Sequence, residues 1–293
     1  MKNKTVSVII PTLNASVNIK QQLDMLSHQT CVVNEVVIVD SESEDNTIEI
    51  ARSFDFVRII KVKKIDFDHG KTRDMALRSC SSDFIVFLTD DAIPRDEMLI
   101  QYLVDSFEKD ENIVASYGRQ LPRDDASAME KLVREFNYPE QGIIKSSANI
   151  EQMGIKTFFL SDACSCYSRQ KYIEIGGFDY PVKTNEDMFF AARAISMNYK
   201  IAYEPQAQIY HSHNFTLKQQ YKRNYIQGFE MESHKDILNN CKSQKEGLKL
   251  VSFVSKRLLS QGRVFSFVRF GFDCIARYLG NSAGIKAARA MRK

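Results

Sequence analysis

Short apolar runs alternating with helical stretches dominate the first ninety residues and leave few folds open. Val6–Pro11 is β-branched and apolar without a polar face, as expected of a strand buried on both sides. Ile19, Leu23 and Leu26 follow at helical spacing. Val36–Val39 repeats the strand pattern and ends at Asp40, and Asp45 stands where an N-cap would open a helix running to about Phe54. Val57–Lys61 reads as a third strand, Thr72–Ser79 as a helix and Phe84–Thr89 as a fourth strand. Strand–helix alternation at this pace predicts an α/β fold, a doubly wound and mostly parallel sheet with right-handed crossovers.

Past this region the pattern loosens. Pro122 and Pro139 interrupt a charged stretch from about Tyr117 to Lys156, with a helix expected near Ala126–Phe136. Regular structure is expected to resume over Thr157–Tyr167, with a helix opening near Glu186 and a strand, Lys200–Tyr203, closing before Pro205. From about Leu217 onward the pattern is helical, broken at Gly262 and Gly271.

Charge is divided along the chain. From Lys242 to Lys293 there are 12 Lys/Arg against Glu246 and Asp273, a balance of +10 inside a chain of net charge +3. Phe253, Phe265, Phe267, Phe270 and Phe272 are interspersed with Lys256, Arg257, Arg263, Arg269 and Arg277. Such amphipathic helices fit an anionic membrane surface, with packing on the rest of the protein or on a second copy, a homo-oligomer, as the alternative. No nucleic-acid-reading motif accompanies the basic residues, so nucleic acid is not an expected partner.

Cys31, Cys80, Cys164, Cys166, Cys241 and Cys274 form no C-x-x-C pair and read as free thiols of a reducing compartment. The apolar stretch Val6–Ile10 is too short for a secretory leader, and no segment is long enough to span a bilayer. The expectation is a cytoplasmic protein, peripheral on the inner face of the cell membrane.

In an open parallel sheet, ligands bind beyond the carboxyl ends of the strands. Pro11-Thr12-Leu13-Asn14, Asp40-Ser41 and Asp90-Asp91 all arrive at that edge. Adjacent carboxylates such as Asp90 and Asp91 repel, and a hard divalent cation relieves them. A solvated turn capping the next helix would account for the same residues.

Together, the segments Val6–Asn14, Val37–Asp45 and Phe87–Ala92 resemble the nucleotide half of the GT-A fold in the bacterial "family two" of inverting glycosyltransferases. Gly176-Gly177-Phe178-Asp179 and Asn185-Glu186-Asp187 resemble that family's acceptor half, so the likeness covers about residues 5–230. It implies a GT-A domain over 1–230, with a nucleotide-sugar half to about 118 and an acceptor half from about 119, followed by a basic helical tail over 231–293. Pro11, Thr12, Asn14, Asp40, Ser41, His69, Arg73 and Asp90 would bind the nucleotide sugar. Asp91 would ligate a divalent cation, Mg2+ or Mn2+, and His211 would complete its shell. Asp187 would be the catalytic base, with Glu186 and His213 in acceptor or secondary roles. On a helix, Glu186 and Asp187 point about 100° apart, so only one of them is expected to face the pocket. Asp-Asp-Ala stands where many relatives have Asp-x-Asp, which leaves Asp91 as the carboxylate ligand.

In the run Asp66-Phe67-Asp68-His69-Gly70-Lys71-Thr72-Arg73, Gly70 would permit a tight turn and Thr72 would cap the helix carrying Arg73. This run, together with His211-Ser212-His213-Asn214, resembles bacterial rhamnosyltransferases. The likeness implies dTDP-L-rhamnose as donor and a lipid-linked oligosaccharide acceptor of surface polysaccharide assembly. The alternatives are a UDP- or GDP-sugar donor, or a catalytically silent scaffold of an assembly complex. A sugar-phosphate nucleotidyltransferase would need a glycine-rich basic loop after the first strand, which Pro11-Thr12-Leu13-Asn14 is not.

Overall fold

A computed structural model describes residues 4–238 and 244–291; Cys241 lies outside them. In chain order the elements are β1 (Val6–Thr12), α1 (Ile19–Ser27), β2 (Glu35–Asp40), α2 (Thr47–Arg52), β3 (Val57–Lys61), α3 (His69–Arg78), β4 (Phe84–Leu88), β5 (Ile93–Pro94), α4 (Leu99–Asp105), β6 (Ile113–Leu121), α5 (Ala128–Asn137), β7 (Ile143–Lys145), α6 (Ile150–Met153), β8 (Cys164–Ser168), α7 (Arg169–Ile175), α8 (Glu186–Ser196), β9 (Lys200–Tyr210), α9 (Leu217–Ser233), α10 (Gln244–Ser260) and α11 (Val264–Met291).

One sheet runs β3-β2-β1-β4-β8-β6-β9-β5, with β7 on β9. The pairs among β1 to β4 are parallel, as expected, and so is β6–β9. Antiparallel β8 is inserted between β4 and β6. Alternating side chains divide the core. Ile9, Val37 and Phe87 face α3 and α8, while Val8, Ile38 and Val86 face α1 and α4. Burial on both faces is why these strands read as unbroken apolar runs.

Several expected boundaries move. β9 continues past Pro205 to Tyr210, because a bulge between the pairs Gly118–Glu204 and Arg119–Gln208 accommodates the proline. A Cβ on Gly118 would meet the carbonyl of Ala207 at 2.5 Å, so glycine is required at this kink. The regular structure expected over Thr157–Tyr167 consists of the end of a 3-10 turn, Gly154–Phe158, and then β8. Gly262 ends α10 at positive φ (67°), whereas Gly271 lies inside α11 and does not break it.

The C-terminal helices pack on the body of the protein. Val254, Leu258 and Phe270 form a small core with Met129, Leu132 and Val133 of α5. Gly280 and Gly284 of α11 let its backbone approach the carbonyls of Tyr221 and Tyr225 on α9, and Gly228 does the same from the other side. The opposite face of α11 is bare: Phe265 is 94% exposed, and Val268, Phe272, Ile275 and Leu279 are each more than half exposed. No helix among the described residues is long and apolar enough to cross a membrane.

Candidate active site

The carboxyl ends of β1, β2 and β4 surround a cavity of about 390 Å3 lined by Pro11, Thr12, Ser41, Lys64, Phe67, His69, Arg73, Thr89 and Asp90, among others. The structure thus brings together Pro11, Thr12, Ser41, His69, Arg73 and Asp90. Asn14 and Asp40 do not line it. Asp40 accepts hydrogen bonds from Thr12 Oγ1 (3.1 Å) and from Ser43 N (3.0 Å), and Asn14 Oδ1 accepts one from Glu44 N (2.9 Å). Both tie the loops that shape the cavity. Ser41 Oγ is buried with no hydrogen-bond partner among the described residues, a polar atom free to meet a ligand.

The run from Asp66 to Arg73 departs locally from expectation. Asp68, not Thr72, caps α3, accepting from Lys71 N at 2.8 Å and from Val182 N at 2.9 Å. Gly70 lies within the first turn of α3, where a Cβ would meet the Asp179 carbonyl at 2.5 Å. Close packing, not a tight turn, requires glycine there. Asp45 accepts from Thr47 N at 3.0 Å one residue before the N-cap Asn46.

Arg73 points into an acidic cluster. Its Nη1 donates to Glu186 Oε1 at 3.0 Å, and its Nε lies 3.7 Å from Asp162 Oδ2. Asp162 N donates to Asp187 Oδ2 at 3.1 Å, and Met188 N donates to Asp187 Oδ1 at 2.7 Å. Glu186 and Asp187 therefore have different partners, yet both line one cavity of about 330 Å3, contrary to the expectation that only one would. Three carboxylates around one guanidinium leave an excess of negative charge. Burial, then Asp162 and Glu186, hold the Asp187 carboxyl well above the ordinary carboxylate range. Burial pushes Asp162 up to about 6, with Arg73 opposing and Glu186 adding to the rise.

Asp91 carries the second centre. Its Oδ1 lies 3.3 Å from His211 Nε2 and its Oδ2 lies 3.5 Å from His213 Nε2, with the two imidazole nitrogens 3.2 Å apart. His213 thus joins His211 beside Asp91. Gln120 sets the His211 tautomer. Its Nε2 donates to Ser161 Oγ at 2.8 Å and its Oε1 accepts from Arg134, so His211 Nδ1, 2.8 Å away, must be the donor. His211 Nε2 then faces Asp91 and His213, and a proton or a cation has to sit between them. The donor set of one carboxylate and two imidazoles fits a divalent transition ion. Burial would raise Asp91, but the neighbouring imidazoles outweigh it and hold the carboxyl well below its usual range. Asp90 is pushed up to about 6 by burial and by Asp91, in keeping with a single carboxylate ligand.

The two cavities share His69, Arg73 and Thr89, so the cavity at the strand ends and the acidic cavity adjoin. Sequence reasoning missed Lys64, Phe67, Gln120, Arg134, Tyr138, Asp162 and Arg223 in their linings. Phe67 stood within the distinctive run. Asp162 stands two residues before the buried strand β8, a position that reasoning from strand carboxyl ends passes over.

Residues 7–176 match the family described as glycosyl transferase family 2. The chain is 39% identical over 224 residues to the O-antigen chain rhamnosyltransferase RfbN of Salmonella typhimurium, covering 76% of this chain and 71% of the relative. It is also 39% identical to the O-antigen chain rhamnosyltransferase WbaN of Salmonella anatum, covering 76% and 70%. The fold is similar to that of the mannosyltransferase PcManGT from Pyrobaculum calidifontis, solved with GDP-Man and Mn2+ (TM-score 0.63, 16% identity, 97% of this chain and 86% of that one). It is similar also to Staphylococcus aureus TarS 1-349, solved with UDP-GlcNAc (TM-score 0.59, 18% identity, 87% and 72%). The chain is a glycosyltransferase with a GT-A fold and belongs to glycosyl transferase family 2.

Proposed function

We propose that this enzyme transfers L-rhamnose from dTDP-L-rhamnose to a lipid-linked glycan of O-antigen assembly, with inversion at the anomeric carbon. The observation that carries the reading is the junction of two cavities at His69, Arg73 and Thr89. One fits a nucleotide, and the other holds a carboxylate of raised pKa beside the Asp91–His211–His213 cluster. The rhamnosyl specificity rests on the likeness to RfbN and WbaN.

Pro11, Thr12, Ser41 and Asp90 would hold the nucleoside, with Asn14 and Asp40 fixing the loops behind them. Asp91, His211 and His213 would hold the divalent ion, and two imidazoles favour Mn2+ over the oxygen-seeking Mg2+. Such an ion would supply charge stabilisation for the departing nucleoside diphosphate. Asp187 would take the proton of the attacking hydroxyl, and its raised pKa makes it a stronger base once ionised. The Asp162 and Met188 N–H groups hold that carboxylate in place. With a single base and no covalent intermediate, the displacement inverts configuration. A panel of nucleotide sugars with Mn2+ tests the donor: dTDP-L-rhamnose should give the largest rise in Tm, and a larger rise with a UDP- or GDP-sugar would reassign it.

The bare face of α11 is the part of the tail that would lie on an anionic bilayer, at the inner face of the cell membrane. Lys256, Arg263, Arg269 and Lys286 have no carboxylate partner among the described residues, whereas Arg257, Arg277 and Arg289 do. Two such faces pressed together would oppose like charges, which favours lipid over a second copy.

A further inference from the structure

Lys145 closes β7 and is 1% exposed, with no carboxylate within ion-pair reach among the described residues. Its Nζ donates to the carbonyls of Phe159 and Lys156 (3.4 Å for the latter) and to Tyr117 Oη at 3.2 Å, and it lies 4.7 Å from the centre of the Tyr117 ring. Burial pushes the ammonium down to about 7. A buried cation without a counter-charge is costly, and an apolar side chain would fill the same space at less cost. What the lysine holds is therefore informative.

The Phe159 carbonyl opens the stretch that enters the active site, and the Lys156 carbonyl lies in the 3-10 turn just before it. Phe159, Leu160, Ser161, Asp162 and Ala163 all line the acidic cavity. Ser161 Oγ accepts from Gln120, whose Oε1 accepts from His211 Nδ1. One residue on, Asp162 N donates to Asp187 Oδ2. A single short segment thus touches the proposed base directly and the proposed metal ligand through one glutamine.

We propose that Lys145 is a positioning residue that fixes residues 159–163, and through them both the Asp187 carboxylate and the His211 imidazole. This rests on the roles given above to Asp187, Asp91 and His211. Lys145 meets no reacting group itself.

Lys145→Met keeps the length and apolar contacts and removes the donors. In the full chain, Mn2+ affinity is read by calorimetry and donor turnover by release of nucleoside diphosphate, with circular dichroism as the fold check. The folded variant should keep the donor KM within a few-fold and lose about 10²-fold in kcat, the usual effect of misplacing a catalytic group by about 1 Å. Its Mn2+ affinity should weaken roughly 10–100-fold, as when a partner that orients a ligand is removed. A folded variant with wild-type kcat and Mn2+ affinity overturns the proposal. Should Lys145→Met not fold, Ser161→Ala decides, since it removes the hydroxyl that accepts from Gln120. Roughly 10-fold weaker Mn2+ binding is expected, and unchanged binding overturns the proposal. An Asp187→Asn enzyme of normal rate would refute the base assignment while leaving the Mn2+ measurements unaffected.

Discussion

Asp162 N–H donates to Asp187 Oδ2 at 3.1 Å, joining the start of β8 to the first turn of α8. The bond orients the carboxylate without neutralising it, while Asp162's own carboxyl lies beside Arg73. Crowding with Asp162 and Glu186 then raises the Asp187 pKa further. Position and basicity of the proposed base come from one packing arrangement.

The raised pKa predicts the acidic limb of the pH–rate profile. A base is idle while protonated, so kcat/KM should fall as pH drops through the Asp187 pKa. Because that pKa is raised, the fall should begin above the ordinary carboxylate range of about 4. A profile flat down to about pH 4 would remove Asp187 from the role.

The Asp91–His211–His213 cluster predicts metal dependence with both imidazoles involved. Asp91→Ala should abolish transfer and Mn2+ binding with the fold intact, because Asp91 is partly exposed rather than packed in the core. His213→Ala should weaken Mn2+ binding severalfold or more. Full activity in EDTA would contradict the assignment, and an unaffected His213→Ala would confine the site to Asp91 and His211.

The exposed face of α11 predicts binding to phosphatidylglycerol vesicles that is released by salt, each cation near the surface contributing about 1 kcal/mol. Replacing Phe265 and Phe272 by Glu should abolish this binding and leave donor turnover in solution unchanged. No vesicle binding by the wild type, together with a dimer that the same substitutions dissociate, would assign the face to a second copy.

The parts legible in sequence share a physical origin. β1, β2 and β4 are buried on both faces, so their runs are apolar throughout and their polar ends mark the ligand edge. Asp162 escaped because β8 is antiparallel to β4, which brings its amino end to the edge where parallel strands bring their carboxyl ends. His213 was set apart from His211 because the resemblance places only the first of the two in the metal shell. In the extended segment after β9, residues i and i+2 share a side, and both imidazoles reach Asp91. Pro205 suggested a strand end because a bulge depends on the partner strand, which local pattern does not reveal. Gly271 failed to break α11 because tertiary packing on α9 and α5 outweighs local propensity.

The central claim is that Asp187 is the base of an inverting transfer, and Asp187→Asn tests it most directly. Asparagine keeps the size of the side chain but cannot take up a proton at neutral pH. Donor affinity should change little, since Asp187 is absent from the lining of the nucleotide cavity. Turnover should fall by roughly 10²–10⁴-fold, the usual contribution of a positioned general base, and the wild-type product should carry the anomeric configuration opposite to the donor's. A variant turning over near the wild-type rate, or a product of retained configuration, would contradict the account.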